Sequence, residues 1–298
     1  MSVVERAIDK LRRNEPEKNK TGSQPAVPRR DVVGALVGSE PVSSSGARIA
    51  VNRQSLREAG YMPEEQEDRR FAEEYRQIKR PLLASAFATA APAPQPNPRL
   101  IMMASALPGD GKTFTSINLA LSMAREKDSS VVLVDADVAK PHISRIFGVD
   151  AERGLLDALA DPALDVNTLI LQTDVKGLSI LPAGAVRDGA TELLSSARTS
   201  QVANQLLARH PRCVALFDSP PLMVSSESRA LAVAVGQIVI VVRAGHTPRN
   251  AVLETLDALG PDRSISLVLN QGRRSMGERL YAYGNYGDYG DTKKDGPF

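Results

Sequence analysis

Residues 100–124, LIMMASALPGDGKTFTSINLALSMA, constrain this chain more than any other stretch. An apolar run, a loop with two glycines and an amphipathic run follow the order strand, phosphate-cradling loop, helix. The backbone N–H groups of such a loop, with the N-terminus of the next helix, can surround a polyphosphate. The candidate nucleotide-binding residues are therefore Pro108, Gly109, Asp110, Gly111, Lys112, Thr113 and Phe114. Lys112 is placed to reach the β- and γ-phosphates of a nucleotide, and the Thr113 hydroxyl to ligate Mg²⁺. Ala106 stands where the strict pattern begins with glycine, so the match is a relaxed one.

The pattern around that segment repeats its logic. Between Arg99 and Gly272 short β-rich runs (LIMMAS, VVLVDA, LSIL, CVALFD, QIVIVV, ISLVLN) alternate with helical ones at 113–126, 197–209, 226–235 and 247–259. The alternation signals βαβ units, and strands apolar throughout signal burial on both faces. The expected fold is α/β: a parallel sheet with helices on both faces. No internal repeat at a fixed period is present.

Three carboxylates end these strands. VVLVDAD carries Asp135 and Asp137, and VALFDSPP carries Asp218. In open parallel sheets that edge is where ligands bind. A single strand-ending Asp reads as a turn former or helix cap. Three of them beside a phosphate loop match what phosphoryl transfer requires, namely carboxylates to hold Mg²⁺ and a base for the acceptor's proton.

Composition narrows the partners. The 37 basic and 35 acidic residues leave a formal charge of +2, without the excess that binding a nucleic-acid backbone usually needs. One cysteine, Cys213, excludes a disulfide within the chain and fits a reducing compartment. His142, His210 and His246 lack metal spacing. The longest apolar stretch, Ala230 to Val242, is 13 residues broken by Gly236 and Gln237, against the ~20 of a spanning helix. Membrane association is expected only through a partner.

Four regions are expected. Residues 1–62 combine a short amphipathic N-terminal helix with a Pro-, Ser- and Gly-rich linker from 14 to about 60, too polar to offset its ordering entropy. Residues 63–98 hold a helical segment to about Ala88, started by Pro63 and kinked or split by Pro81, then the spacer TAAPAPQPNP. Residues 99–272 form the main domain, and 273–298 a flexible tail. In that tail Tyr281, Tyr283, Tyr286 and Tyr289 fall within YAYGNYGDY. Six tyrosines in 298 residues would place about 0.2 in such a window by chance, so the cluster is a compositional anomaly, and a functional set of tyrosines is one reading of it. A sticky low-complexity tail is the alternative.

The relaxed phosphate loop, VVLVDAD and VALFDSPP together resemble the three nucleotide motifs of the bacterial tyrosine kinases of capsule and exopolysaccharide export. EEYRQIKRPLL, DADVAKPHISR and ATELLSS look more narrowly like the exosortase-associated tyrosine autokinases. The resemblance runs from about residue 68 to the end and implies a P-loop NTPase of the deviant, partitioning or Min-like type. It implies ATP and Mg²⁺ as cofactors, Lys112 as the phosphate-binding lysine, Asp135 as the base for a tyrosine hydroxyl, and Thr113, Asp137 and Asp218 as the metal shell. It implies autophosphorylation of the tail, a homo-oligomer with a ring as one form, and a transmembrane adaptor of the polysaccharide co-polymerase type. The place implied is the cytoplasmic face of the cell membrane.

The family's Glu-x-x-Arg-x-x-Arg subunit contact is similar to Glu73, Arg76 and Lys79, with lysine at the third place and Arg80 beside it. The arginine pair common after the second aspartate motif is here Ala139 and Lys140. Asn270 resembles the adenine-contacting position of related ATPases, with a strand-ending turn residue as the alternative. Two rival functions share these motifs. A partitioning or Min-type ATPase switch would carry an early lysine where Leu107 stands, and a catalytically silent nucleotide-binding regulator would need neither Lys112 nor the aspartates.

Overall fold

In the computed structural model, residues 48–88, 96–187 and 189–272 are described. The N-terminal helix expected at 1–13, the linker to residue 47, most of the spacer and the four tail tyrosines lie outside the described residues.

The strands are β1 (Leu100–Ser105), β2 (Ser130–Asp135), β3 (Leu171–Gln172), β4 (Leu178–Leu181), β5 (Cys213–Asp218), β6 (Gln237–Arg243) and β7 (Ile265–Asn270). They form one sheet in the order β3-β4-β2-β5-β1-β6-β7. All neighbours are parallel except β3 against β4, which is antiparallel. The expected parallel sheet is thus right in its body and wrong at one edge. Two residues of β3 carry too little pattern to be read in advance. The opposite edge, β7, is only half-buried, with Leu269 58% exposed.

The helices are α1 (Arg53–Glu58), α2 (Asp68–Ala86), α3 (Lys112–Met123), α4 (His142–Ile146), α5 (Leu155–Ala160), α6 (Ala190–Ser195), α7 (Ala197–Leu207), α8 (Ser226–Ala234) and α9 (Arg249–Leu259). Alternate residues of β1 feed two cores. Leu100, Met102 and Ala104 join a cluster with Leu155, Val202, Leu231 and Val252, while Ile101 and Met103 join Leu82, Ile117 and Leu119. Each such large apolar side chain contributes about 1.5–3 kcal/mol by leaving water. That two-sided demand is why these strands read as continuous apolar runs. Among the described residues no helix is long and apolar enough to cross a membrane.

Two expectations in the N-terminal part need correction. The linker was expected to extend to about residue 60, yet from Arg48 onward the chain is fixed as a strap. Ile49 bridges Thr173, and Val51 N donates to Asp174 Oδ1 at 2.9 Å. Asn52 caps α1 by accepting from Ser55 N, and Leu56 is buried. Asn118 Nδ2 then donates to the carbonyl of Tyr61 at 2.8 Å. A few apolar anchors in a polar segment leave no periodicity to detect.

The second correction concerns α2. It begins at Asp68, five residues after Pro63, and runs through Pro81 without splitting. Proline removes one helix hydrogen bond at that turn. Tyr75 on one side and Leu82 and Ala86 on the other are buried in the same core, which anchors both halves of one continuous helix. Lys79, expected to face another subunit, points inward with 6% exposure. Its Nζ donates to Ser122 O at 2.8 Å and pairs with Glu126 at 2.7 Å, tying α2 to the end of α3. Glu73 and Arg76 remain exposed and pair with each other, and Arg80 is exposed beside them.

Candidate active site

The loop between β1 and α3 owes its shape to two left-handed glycines, Gly109 at φ +86 and Gly111 at φ +90. Such values are strained for any residue with a side chain. A Cβ on Gly111 would also run into the Asn270 side chain. Gly111 precedes α3 without a side chain to cap it, so the first N–H groups of α3, which have no intrahelical partner, face the loop's concave side. Pro108 and Gly109 are exposed and Asp110 is buried. The Asp110 Oδ2 accepts from Leu107 N at 3.2 Å, bracing the loop from within.

Asp218, at the end of β5, gathers the start of α3. Thr113 Oγ1 donates to its Oδ2 at 2.8 Å, Ser116 Oγ bonds its Oδ1 at 2.8 Å, and Lys112 Nζ lies 3.5 Å from the same Oδ1. Asp218 is fully buried and Lys112 is 8% exposed. Asp135 is the register partner of Asp218 on the neighbouring strand and is also fully buried. Ser144 donates both its backbone N–H and its hydroxyl to Asp135 Oδ2, each at 2.7 Å. Asp135 Oδ1 has no partner among the described residues. Burial pushes this carboxyl up to about 7, the charges of Asp218 and Asp137 adding to the effect and the two Ser144 bonds opposing it.

Asp137 lies at the rim, accepting from Lys140 N at 3.1 Å. Its carboxyl is also raised by burial, with the Lys112 charge pulling it back. The expected trio of Asp135, Asp137 and Asp218 is thus brought to one sheet edge beside Lys112 and Thr113.

The residues present fit the group that the motifs imply. Gly109 and Gly111 leave a side-chain-free cradle for phosphates, and the buried, unpartnered Asp135 Oδ1 is an acceptor waiting for a donor. Thr113, Asp137 and Asp218 offer hard oxygen donors, which suit Mg²⁺. Among the described residues no group of three or more His, Cys, Asp or Glu forms a closed metal cage. An ion that keeps waters and phosphate oxygens in its shell does not need one.

Two expected contacts are placed differently. The Phe114 ring turns from the loop to meet Phe71 edge-on, with centroids 6.1 Å apart, leaving only its backbone to the cradle. Asn270 spends its amide on the loop, Nδ2 donating to Asp110 O and Oδ1 accepting from Gln271 N, both at 2.9 Å.

Sequence reasoning missed Ser116, Ser144 and Tyr61. Ser116 was findable, since it lies one helical turn from Lys112 on the same face. Ser144 and Tyr61 gave no such signal. The phenol of Tyr61, delivered by the strap, is raised by burial and by the nearby charge of Asp218, with Arg145 opposing.

Residues 98–257 match the AAA domain family. The chain is 28% identical over 190 residues to the tyrosine-protein kinase YwqD of Bacillus subtilis, covering 64% of this chain and 77% of YwqD. It is 30% identical over 202 residues to the putative tyrosine-protein kinase EpsB of Ralstonia nicotianae, covering 65% of this chain but only 26% of EpsB. Among solved structures it is similar to the VpsO kinase domain, with 31% identity, a TM-score of 0.52, and coverage of 68% of this chain and 99% of that domain.

Proposed function

Because the chain belongs to the bacterial tyrosine-protein kinases, with an AAA-type nucleotide domain at its centre, we propose that it transfers the γ-phosphoryl of ATP to the tyrosines of its own tail. The acceptors are Tyr281, Tyr283, Tyr286 and Tyr289 of a neighbouring subunit. The observation that carries this reading is the convergence of Lys112, Thr113 and Ser116 on Asp218, with Asp135 alongside in register. A phosphate loop, a metal-holding carboxylate and a second carboxylate poised near neutrality are the parts that phosphoryl transfer to a hydroxyl requires.

Each residue has one task. The loop N–H groups and Lys112 bind the β- and γ-phosphates, and Lys112 exchanges its contact with Asp218 for them. Thr113, Asp137 and Asp218 would hold Mg²⁺, which neutralises charge on the phosphates when bound. Asp135 takes the proton of the incoming tyrosine hydroxyl, Ser144 fixing one oxygen and leaving Oδ1 for that proton. Asn270, two residues before the end of the described chain, bonds the phosphate loop, which supports delivery of the tail near the catalytic edge.

The density of tyrosine in the tail supports its role as acceptor, and the exposed pair Glu73 and Arg76 supports self-association along α2. The resemblance to the kinases of capsule and exopolysaccharide export supports regulation of exopolysaccharide synthesis or export, at the inner face of the membrane through a transmembrane adaptor of the co-polymerase type. The deciding experiment is incubation of the purified chain with Mg²⁺-ATP and mapping of phosphotyrosine by mass spectrometry. Phosphate on the four tail tyrosines is expected, and a chain that binds ATP yet gains no phosphotyrosine, alone or with an adaptor fragment, would overturn the reading.

A further inference from the structure

The turn after β6 lies outside every nucleotide motif, yet it is hydrogen-bonded into the phosphate loop at two points. Residues 243–248 read RAGHTP. Gly245 is left-handed at φ +67, and His246 N and Thr247 N both donate to Arg243 O, closing the turn on itself. This geometry aims the Thr247 hydroxyl at the loop. Its Oγ1 accepts from Arg243 N at 2.9 Å and donates to Asp110 Oδ1 at 2.7 Å. The second point runs through Asn270, whose carbonyl accepts from Ala244 N and whose Nδ2 donates to Asp110 O, each at 2.9 Å.

Asp110 is an awkward residue for its place. It stands between the two glycines of a loop that must receive a polyanion, and a carboxylate turned toward that space would repel the phosphates. It is instead 1% exposed. Both oxygens are occupied, Oδ2 by Leu107 N of the same loop and Oδ1 by Thr247. No cation pairs with it among the described residues, so these two donors alone satisfy a buried charge. Losing either would leave a buried carboxylate oxygen without a partner, and the carboxylate would relieve this by turning toward solvent, which here means toward the phosphate path.

We propose that Thr247 is a positioning residue for nucleotide binding, holding the Asp110 carboxylate away from the phosphates and fixing the peptide planes of Gly109 to Gly111. Thr247 touches no phosphate itself. It acts through Asp110, and the inference rests on the reading of this loop as an ATP site.

The consequence is a defect in binding more than in chemistry. Rebuilding the loop against a misplaced carboxylate weakens ground state and transition state alike, so Kd and KM rise while kcat changes little. The test measures ATP and ADP affinity by titration, and KM and kcat by phosphotyrosine formation, on the full chain. Thr247→Val, which keeps the shape and removes the hydroxyl, should raise Kd and KM about tenfold with kcat within about threefold. Thr247→Ala is carried alongside in case the valine disturbs the turn. Thr247→Ser, which restores the donor, should return within about twofold of the parent. In an Asp110→Ala background the valine should have no further effect, because the carboxylate it releases is gone.

Affinity in both Thr247→Val and Thr247→Ala equal to that of the parent would overturn the proposal. So would the same loss from Thr247→Val with Asp110 absent. A parent chain that binds neither ATP nor ADP would overturn instead the reading of the loop as a nucleotide site.

Discussion

Lys112 and Asp218, 106 residues apart in the chain, face each other across 3.5 Å at the root of the phosphate loop. The lysine is thus not idle without nucleotide, because it offsets part of a buried negative charge that Thr113 and Ser116 also satisfy. Lys112→Met should abolish tyrosine phosphorylation. It should also cost about 1–2 kcal/mol of stability, since the charge it leaves buried keeps two hydrogen-bond donors. Saturating ATP at about a hundred times Kd should stabilise the parent by about 2.7 kcal/mol and the variant by almost nothing. Thermal unfolding with and without ATP reads both effects, and a variant stabilised as strongly as the parent would remove Lys112 from the phosphate site.

Asp135 carries the pH dependence. Its carboxyl lies at about 7 in the folded chain and at about 3.9 unfolded. As a base it must be ionised, so kcat should fall about tenfold per pH unit below 7. Stability runs the other way. A folded pKa above the unfolded one contributes stability that is complete below about pH 4 and is lost as pH rises through 7. From pH 5 to pH 8 the parent should lose roughly 2–3 kcal/mol through this group, and Asp135→Asn should not. The same variant should lose at least about a hundredfold in turnover with ATP affinity within about threefold. If the acid limb of the rate profile survives in Asp135→Asn and disappears in Asp137→Asn, the base is Asp137.

What the sequence made legible followed from periodicity and from motifs with fixed geometry. All six expected strand runs match their strands to within a residue at each end, and LIMMAS, LSIL, CVALFD and ISLVLN match outright, because strands of a helix-covered parallel sheet keep near-continuous apolar runs that mark their ends. The gathering of Lys112, Thr113, Asp135, Asp137 and Asp218 at one sheet edge was readable because a phosphate loop and strand-end carboxylates share that edge in such a sheet. The strap from Arg48 to Met62 was not. It folds by a few isolated anchors, and neither Val51 nor Leu56 announces which surface it will meet. Lys79 failed for a related reason, since charges spaced three apart do not say which of them turns inward when a helix carbonyl and a carboxylate wait on the other side.

That inward turn separates two variants that the spacing alone would treat alike. Lys79→Met keeps the apolar stem but loses the bond to Ser122 O and the pair with Glu126. It should lower stability by about 1–2 kcal/mol and leave the assembly unchanged. Arg76→Ala removes an exposed group and should leave stability within about 0.5 kcal/mol of the parent while shifting the assembly toward monomer. Thermal unfolding paired with sedimentation velocity distinguishes them. Loss of assembly in Lys79→Met at unchanged stability would return Lys79 to the subunit contact.

The final expectation concerns the tail. Eight residues lie between Gly272 and Tyr281, a reach of at most about 30 Å when extended, which brings a neighbour's catalytic edge within range wherever subunits pack side by side. Phosphorylation adds about −1.5 to −2 charges per tyrosine, so four would add roughly −6 to −8 to a chain of net charge +2. A tail docked beside Asp135, Asp137 and Asp218 would then meet like charges, and the assembly should loosen as it becomes phosphorylated. Mixing a Lys112→Met chain that has an intact tail with an active chain whose four tail tyrosines are phenylalanine separates the steps. Phosphotyrosine on the inactive chain is expected, with a fall in assembly size after ATP. An inactive chain left unmodified would rule out transfer between subunits, and an assembly of constant size at full phosphorylation would rule out electrostatic release.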